Sequence, residues 1–197
     1  MLFVTGTVPA LAQGQSYFGV NLGQSNYRTE LGACSGSSGI LDPGYSCSSD
    51  RKDLAWKVYA GHEFNQYIAA EVSYAWLGKQ RETASGTISL VPVSAHQERR
   101  VWGLTGALVG SLPITSSFGL TARLGLAYWN EETSVSAPGQ TGSQTADGLG
   151  PAYGIGLIYG FNRHTGMRVE WERLSDVGED AHAGDVDLVT VGIVHRY

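Results

Sequence analysis

Arg168, Glu170 and Glu172 stand two residues apart in RVEWE, with Val169 and Trp171 between them. On a strand that spacing sends all three charges to one face and the apolar residues to the other. Lys57, Glu63, Glu71, Arg123 and Arg196 take the same polar parity in other alternating segments. The chemistry open to such a set is ion pairing. If the shared face is enclosed, pairing is obligatory, because an unpaired buried charge costs roughly several kcal/mol. The expectation is one ion-pair network, with Glu63 and Arg196 as the two members best placed to reach bulk water.

Other reactive types are sparse. The histidines, His62, His96, His164, His182 and His195, scatter along the chain. His96 beside Glu98 comes nearest to an acid–base pair, but its surroundings read as a solvated loop. No nucleophile–base–orienter set and no metal-ligand spacing is visible. No catalytic, cofactor-binding or metal residue is therefore expected, and no cofactor. Cys34 and Cys47 flank a Gly- and Ser-rich segment with a Pro-Gly turn. In an exported protein this pattern reads as one disulfide pinning a loop. The alternative is two free thiols.

The elements that must position these groups are strands. The chain has 197 residues, 27 of them Gly, and only 16% charged residues, with a net charge of -5. That balance argues against nucleic acid, and no apolar run approaches the roughly 18 residues of a spanning helix. Alternation appears in eight segments: 16–27, 53–64, 67–78, 98–112, 117–129, 150–161, 166–176 and 185–197. Each is longer than a typical soluble strand. Their connections alternate long and short: 28–52, 79–97 and 131–149 are long, whereas 65–66, 113–116 and 162–165 are tight. Segment 177–184 is intermediate. An up-and-down meander with that asymmetry is the pattern of outer-membrane barrels. The expected fold is all-β, a closed antiparallel eight-stranded transmembrane barrel with both termini on the periplasmic side.

The second face of every segment is apolar, and its aromatics lie at two levels. Phe18, Phe64, Phe118, Phe161 and Tyr197 mark the turn end. Trp56, Trp76, Trp102, Tyr128 and Tyr153 mark the other end, with Trp171 on the same face of the seventh segment. Two aromatic girdles around an aliphatic band fit two membrane–water interfaces. Trp129 has the wrong parity, which predicts a bulge or an early strand end there. Acidic residues at the far ends (Glu131, Glu132, Asp147, Asp176, Glu179, Asp180 and Asp185) read as a solvated rim. They could also bridge divalent cations to lipopolysaccharide.

The opening MLFVTGTVPALAQGQ carries a short apolar stretch ending Ala10-Leu11-Ala12, like the tail of a secretory signal peptide. The expected division is 1–12 as a signal remnant and 13–197 as the barrel. The last strand alternates through Tyr197. In a closed barrel this strand pairs with the first, so its end is a ladder member and an interface anchor.

GMRVEWERL and GDVDLVTVGIVHRY resemble the last two strands of the OmpA-like transmembrane barrel family. WGLTGALVGSLPITSSFGLTARLGLAYW is similar to its fourth and fifth strands with their tight turn. The resemblance covers almost all of residues 13–197. It implies a small outer-membrane barrel surrounded by lipid and lipopolysaccharide, with possible envelope protein partners. The terminal Arg196-Tyr197 is similar to the signal read by the barrel assembly machinery. The family's C-terminal peptidoglycan-binding domain has no match here, so cell-wall tethering is not carried over. The expected role is an anchor or interaction protein that displays outer loops around a lumen plugged by charged side chains. Two other readings compete: an outer-membrane lipid-modifying enzyme, and a soluble lipocalin-like carrier with its apolar face turned inward.

Overall fold

A computed structural model describes residues 14–29, 46–88, 91–137, 140–178 and 184–197. The expected signal remnant at 1–12, together with Cys34, Glu179, Asp180 and His182, lies outside the described residues. Nine strands follow in chain order: β1 Gln15–Tyr27, β2 Ser46–Asp50, β3 Lys52–Glu63, β4 Ile68–Ile88, β5 Val91–Pro113, β6 Phe118–Ala137, β7 Gln140–Gly160, β8 Thr165–Val177 and β9 Gly184–Arg196. All pairings are antiparallel. β3, β4, β5, β6, β7 and β8 each pair with the next strand, and β1 pairs with both β3 and β9. The pairings therefore run in a ring. β2 and β3 both lie against β4, separated only at Arg51, so they form two parts of one stave. The nine segments make an eight-stave barrel.

The turn end is built the same way three times. Asn65 Oδ1 accepts the backbone N–H groups of Tyr67 and Ile68, and Asn162 Oδ1 accepts those of His164 and Thr165. Thr115 Oγ1 does the same for Ser117 and Phe118. A short polar side chain thus caps each tight turn locally. Both described chain ends lie here, where the Tyr197 N–H donates to the Ser16 carbonyl.

The other end departs from the sequence reading. The expected loops 79–97 and 131–149 are instead ladder: Lys79–Ile88 pairs with Val91–Arg100, and Glu131–Ala137 with Gln140–Ala146. His96, expected in a loop, is a β5 residue opposite Thr83. These arms carry polar residues on both faces, so they show no hydrophobic alternation although every backbone group has a ladder partner to find. β6 runs through Trp129 without a bulge, pairing it with Gly103 and Gly148. Trp129 points inward and is buried. The irregularities fall elsewhere, between Trp76 and Lys79 and between Leu174 and Val177. They coincide with left-handed backbone at Gly78 (φ 73°) and Asp176 (φ 57°). Beyond each one the parity flips: on β4, Leu77 and then Gln80 and Glu82 face inward.

The faces are inverted relative to a soluble protein. Leu54 (69% exposed), Leu124 (68%), Ile155 (64%) and Leu108 (61%) point outward, whereas Lys57, Glu71, Arg123 and Arg168 are buried. A continuous apolar exterior of this extent marks a surface that meets lipid.

Candidate functional site

The barrel interior is layered from the turn end upward. At the rim, Arg196 Nε donates to Glu63 Oε1 at 3.0 Å, both side chains partly exposed. This pair stands apart from the other six predicted lumen charges. Above it lies an apolar floor of Tyr17, Tyr59, Ala69, Val109 and Val194. The two tyrosines need room: Tyr17 pairs across the ladder with Gly61, and Tyr59 with Gly19. A Cβ on either glycine would run into the partner's ring, so glycine here permits a close approach.

The six remaining charges meet above this floor. Arg123 Nη1 lies 3.0 Å from Glu170, 3.2 Å from Glu71 and 3.2 Å from Glu172. Arg168 bridges Glu71 at 2.6 Å and Glu170 at 2.7 Å. Lys57 Nζ donates to Glu170 and, at 2.8 Å, to Glu172. Three cations face three carboxylates, every one of the side chains 0–3% exposed. The Tyr17 hydroxyl donates to Glu71 at 3.0 Å, tying floor to network. The Arg168 guanidinium lies 4.8 Å from the centre of the Tyr59 ring, a cation–π contact. Their strands set this meeting: β8 supplies three charges on alternate residues, and β3, β4 and β6 supply one each at neighbouring registers. The network is formally neutral, which is what a low-dielectric interior requires.

A third layer was missed from the sequence. Tyr27, Leu77, Val101, Trp129, Leu174, Val177, Val186 and Leu188 form one buried apolar cluster above the charges. A signal was present: Trp76-Leu77, Val101-Trp102 and Tyr128-Trp129 are adjacent apolar pairs, each placing one residue on either face. Above this cap, buried Arg99 reaches Glu131 at 2.6 Å and the Val177 carbonyl at 3.0 Å. Arg173 and Arg28 both hold Asp187. Glu131 and Asp185, expected on a solvated rim, thus take part in ion pairs with Arg99 and Arg173.

Outside, the aromatics form two groups. Trp56, Tyr74, Trp102 and Tyr128 make a chain of ring contacts with centroids 5.5–5.9 Å apart, and Tyr153 meets Trp171 at 6.2 Å. Trp76 pairs with both Trp56 and Trp102 across the ladder. At the turn end Phe18 meets Tyr197 at 6.3 Å and Tyr159 meets Phe161 at 5.6 Å; Phe64 and Phe118 flank the turns. The described histidines are not in the charged layer. His62 lies 3.1 Å from Ser16, His96 3.1 Å from Thr83, and His164 stacks on His195. Among the described residues no three His, Cys, Asp or Glu side chains gather to hold a metal ion. Cys47 sits on exposed β2 opposite Ala84.

Residues 12–197 match the family model described as OmpA-like transmembrane domain. The chain is 24% identical to outer membrane protein A of Serratia marcescens over 206 residues, covering 99% of this chain and 53% of that one. Against outer membrane protein A of Salmonella typhi it is 26% identical over 144 residues, covering 71% and 39%. The chain therefore spans about half, or less, of the length of these relatives. Ail, the attachment invasion locus protein of Yersinia pestis, superposes with a TM-score of 0.57 at 17% identity, covering 94% of this chain and 99% of that one. Neisserial surface protein A does so with a TM-score of 0.55 at 12% identity, covering 94% and 99%. Both likenesses concern the fold.

Proposed function

Because the chain belongs to the OmpA-like transmembrane domain family and is an outer-membrane β-barrel, we propose that it serves as a sealed membrane anchor for its two extended hairpins. The observation that carries this reading is the lumen itself. A formally neutral cluster of six buried charges lies beneath a cap of large apolar side chains. An ion crossing the barrel would have to part paired charges and then pass a dry apolar layer, and either step is costly. The hairpin end faces outward and both termini are periplasmic, following the long-loop, short-turn asymmetry of such barrels. The β4–β5 and β6–β7 arms then project as a rigid sheet, a surface suited to interaction with envelope partners. The terminal strand, closed onto β1, is what the assembly machinery engages through Arg196 and Tyr197. The role is structural rather than enzymatic.

Planar-bilayer recording of the purified barrel tests the seal. The expected trace is silent, or shows rare small openings. Large, stable currents through the unaltered protein would overturn the anchor reading.

A further inference from the structure

Above the Trp76–Trp102 pair, the lipid-facing side of the barrel continues onto the outer face of the hairpin sheet, and its composition changes abruptly. Three cross-strand rows follow in register: Lys79–Arg100–Glu132–Thr145, then Arg81–Glu98–Ser134–Ser143, then Thr83–His96–Ser136–Thr141. The upper two rows line a groove with about 590 Å³ of internal space, flanked by Arg100. Glu98 organises its basic end. It accepts from Arg100 Nε at 2.7 Å and Arg81 Nε at 3.1 Å, and Lys79 Nζ lies 3.3 Å away. Each guanidinium meets Glu98 through one of its five N–H donors, and the two side chains stay 45% and 52% exposed. The far end carries the hydroxyls of Ser134, Ser136, Thr141 and Ser143, with Val135 and Gly142 between them.

We propose that this groove binds the phosphorylated sugar headgroup of an outer-leaflet glycolipid, whose acyl chains lie along the aliphatic band below. The inference rests on the reading that the hairpin end faces outward. Arg81 and Arg100 donate to phosphate oxygens, a geometry the guanidinium fork suits. Sugar hydroxyls are matched by the serine and threonine hydroxyls and by His96. Glu98, Glu132 and Asp50, which pairs with Arg81 across the ladder, match the charges of Lys79, Arg81 and Arg100 one for one. The groove is therefore a poor trap for bare phosphate and a better one for a ligand that presents phosphate and hydroxyls together. The position supplies the choice of occupant. Arg100, at the edge of the groove, stands one ladder row above the tryptophans and the groove opens at the next row, over the aromatic girdle where headgroups sit.

The test uses the full chain purified into phosphatidylcholine nanodiscs doped with a bisphosphorylated glucosamine-disaccharide glycolipid, or with the same glycolipid stripped of phosphate. The readout is glycolipid retained per barrel after detergent extraction. The phosphorylated form should be retained about tenfold over the stripped form. The pair Arg81→Gln and Arg100→Gln should erase that preference, while Arg163→Gln at the turn end keeps it. Ser134→Phe, which fills the groove without removing a charge, should erase it too and covers the case in which the arginine variants fold poorly. Equal retention of the two glycolipids overturns the proposal, as does full retention by folded groove variants or displacement by inorganic phosphate alone. The purified barrel binds whichever way it inserts in the cell. Failure here thus removes the groove and leaves orientation to be decided separately, by protease access to the hairpins on intact cells.

Discussion

Replacing Arg123 by Gln leaves the six-charge layer one cation short. Arg123 Nη1 lies within 3.2 Å of Glu71, Glu170 and Glu172, so three buried carboxylates would share Lys57 and Arg168. Breaking a buried pair by removing one partner costs about 3–5 kcal/mol, chiefly because the remaining charge is stranded. Some of that is recovered if a carboxylate takes up a proton. Glu172→Gln leaves the opposite imbalance. The double variant is neutral again, with two cations facing two carboxylates. It should therefore lose less than the two single losses added together, with a coupling of about 1–3 kcal/mol. The assay is reversible urea unfolding in lipid vesicles, followed by tryptophan fluorescence and by gel mobility with and without heating. A single-variant loss below about 1 kcal/mol, or additive losses, would refute the argument. Either result would mean that water solvates these charges and that the layer does not seal the lumen.

Trp129→Ala removes the largest member of the apolar cap. It should cost about 3–5 kcal/mol, and channel recordings should become noisier than those of the parent. Gly61→Ala puts a methyl group where the Tyr17 ring lies, and should cost about 1–3 kcal/mol in the same urea assay. Glu98 lies beyond the aromatic girdle. Burial raises its pKa, but the hydrogen bonds from Arg100, Arg81 and Lys79 outweigh burial and hold it below the ordinary carboxylate range. Its contribution is thus present above that range and is lost as pH falls through the lowered value. Amide exchange in the β4–β5 arm should stay slow at mildly acidic pH and quicken only below the ordinary carboxylate range. Cys34 and Cys47 are expected to be joined, so intact mass should rise by two hydrogens on reduction; free thiols that label without reductant would contradict this.

The turn end and the barrel staves were legible because both physical signals are strong there. Asn65, Thr115 and Asn162 punctuate tight turns, and between them lipid on one side and a packed lumen on the other force period-two alternation. The six-charge layer was legible for the same reason, since parity alone places Lys57, Glu71, Arg123, Arg168, Glu170 and Glu172 on one face. The arms 79–97 and 131–149 were not legible. Above the girdle both faces meet a polar medium, so a strand there has no reason to alternate and looks like loop. Two parity reversals also hide in the sequence. Gly78 and Asp176 take left-handed backbone, and the flips they mark bring Gln80, Glu82 and Val177 to the inner face although their parity is opposite to that of the inward residues before them.

Trp129 shows why the lumen resists reading by polarity. The rule that membrane barrels are apolar outside and polar inside assumes that the interior is water or its substitute. Here the half of the interior nearer the hairpins is a small buried apolar core of Tyr27, Leu77, Val101, Trp129 and Leu188, and at that level β4, β5 and β6 are apolar on both faces. The two layers depend on each other. The apolar cap keeps water from the charges, which strengthens each ion pair and raises the penalty for stranding one. The neutral charge layer in turn lets the cap remain dry, because a net charge beneath it would draw in water. If this coupling is real, Trp129→Ala and Arg123→Gln are not independent although they lie in separate layers. Opening the cap first should hydrate the carboxylates and shrink the cost of removing Arg123. The measurement is the second double-variant cycle. A loss for Arg123→Gln that is the same with Trp129 present or absent would show two separate plugs rather than one seal.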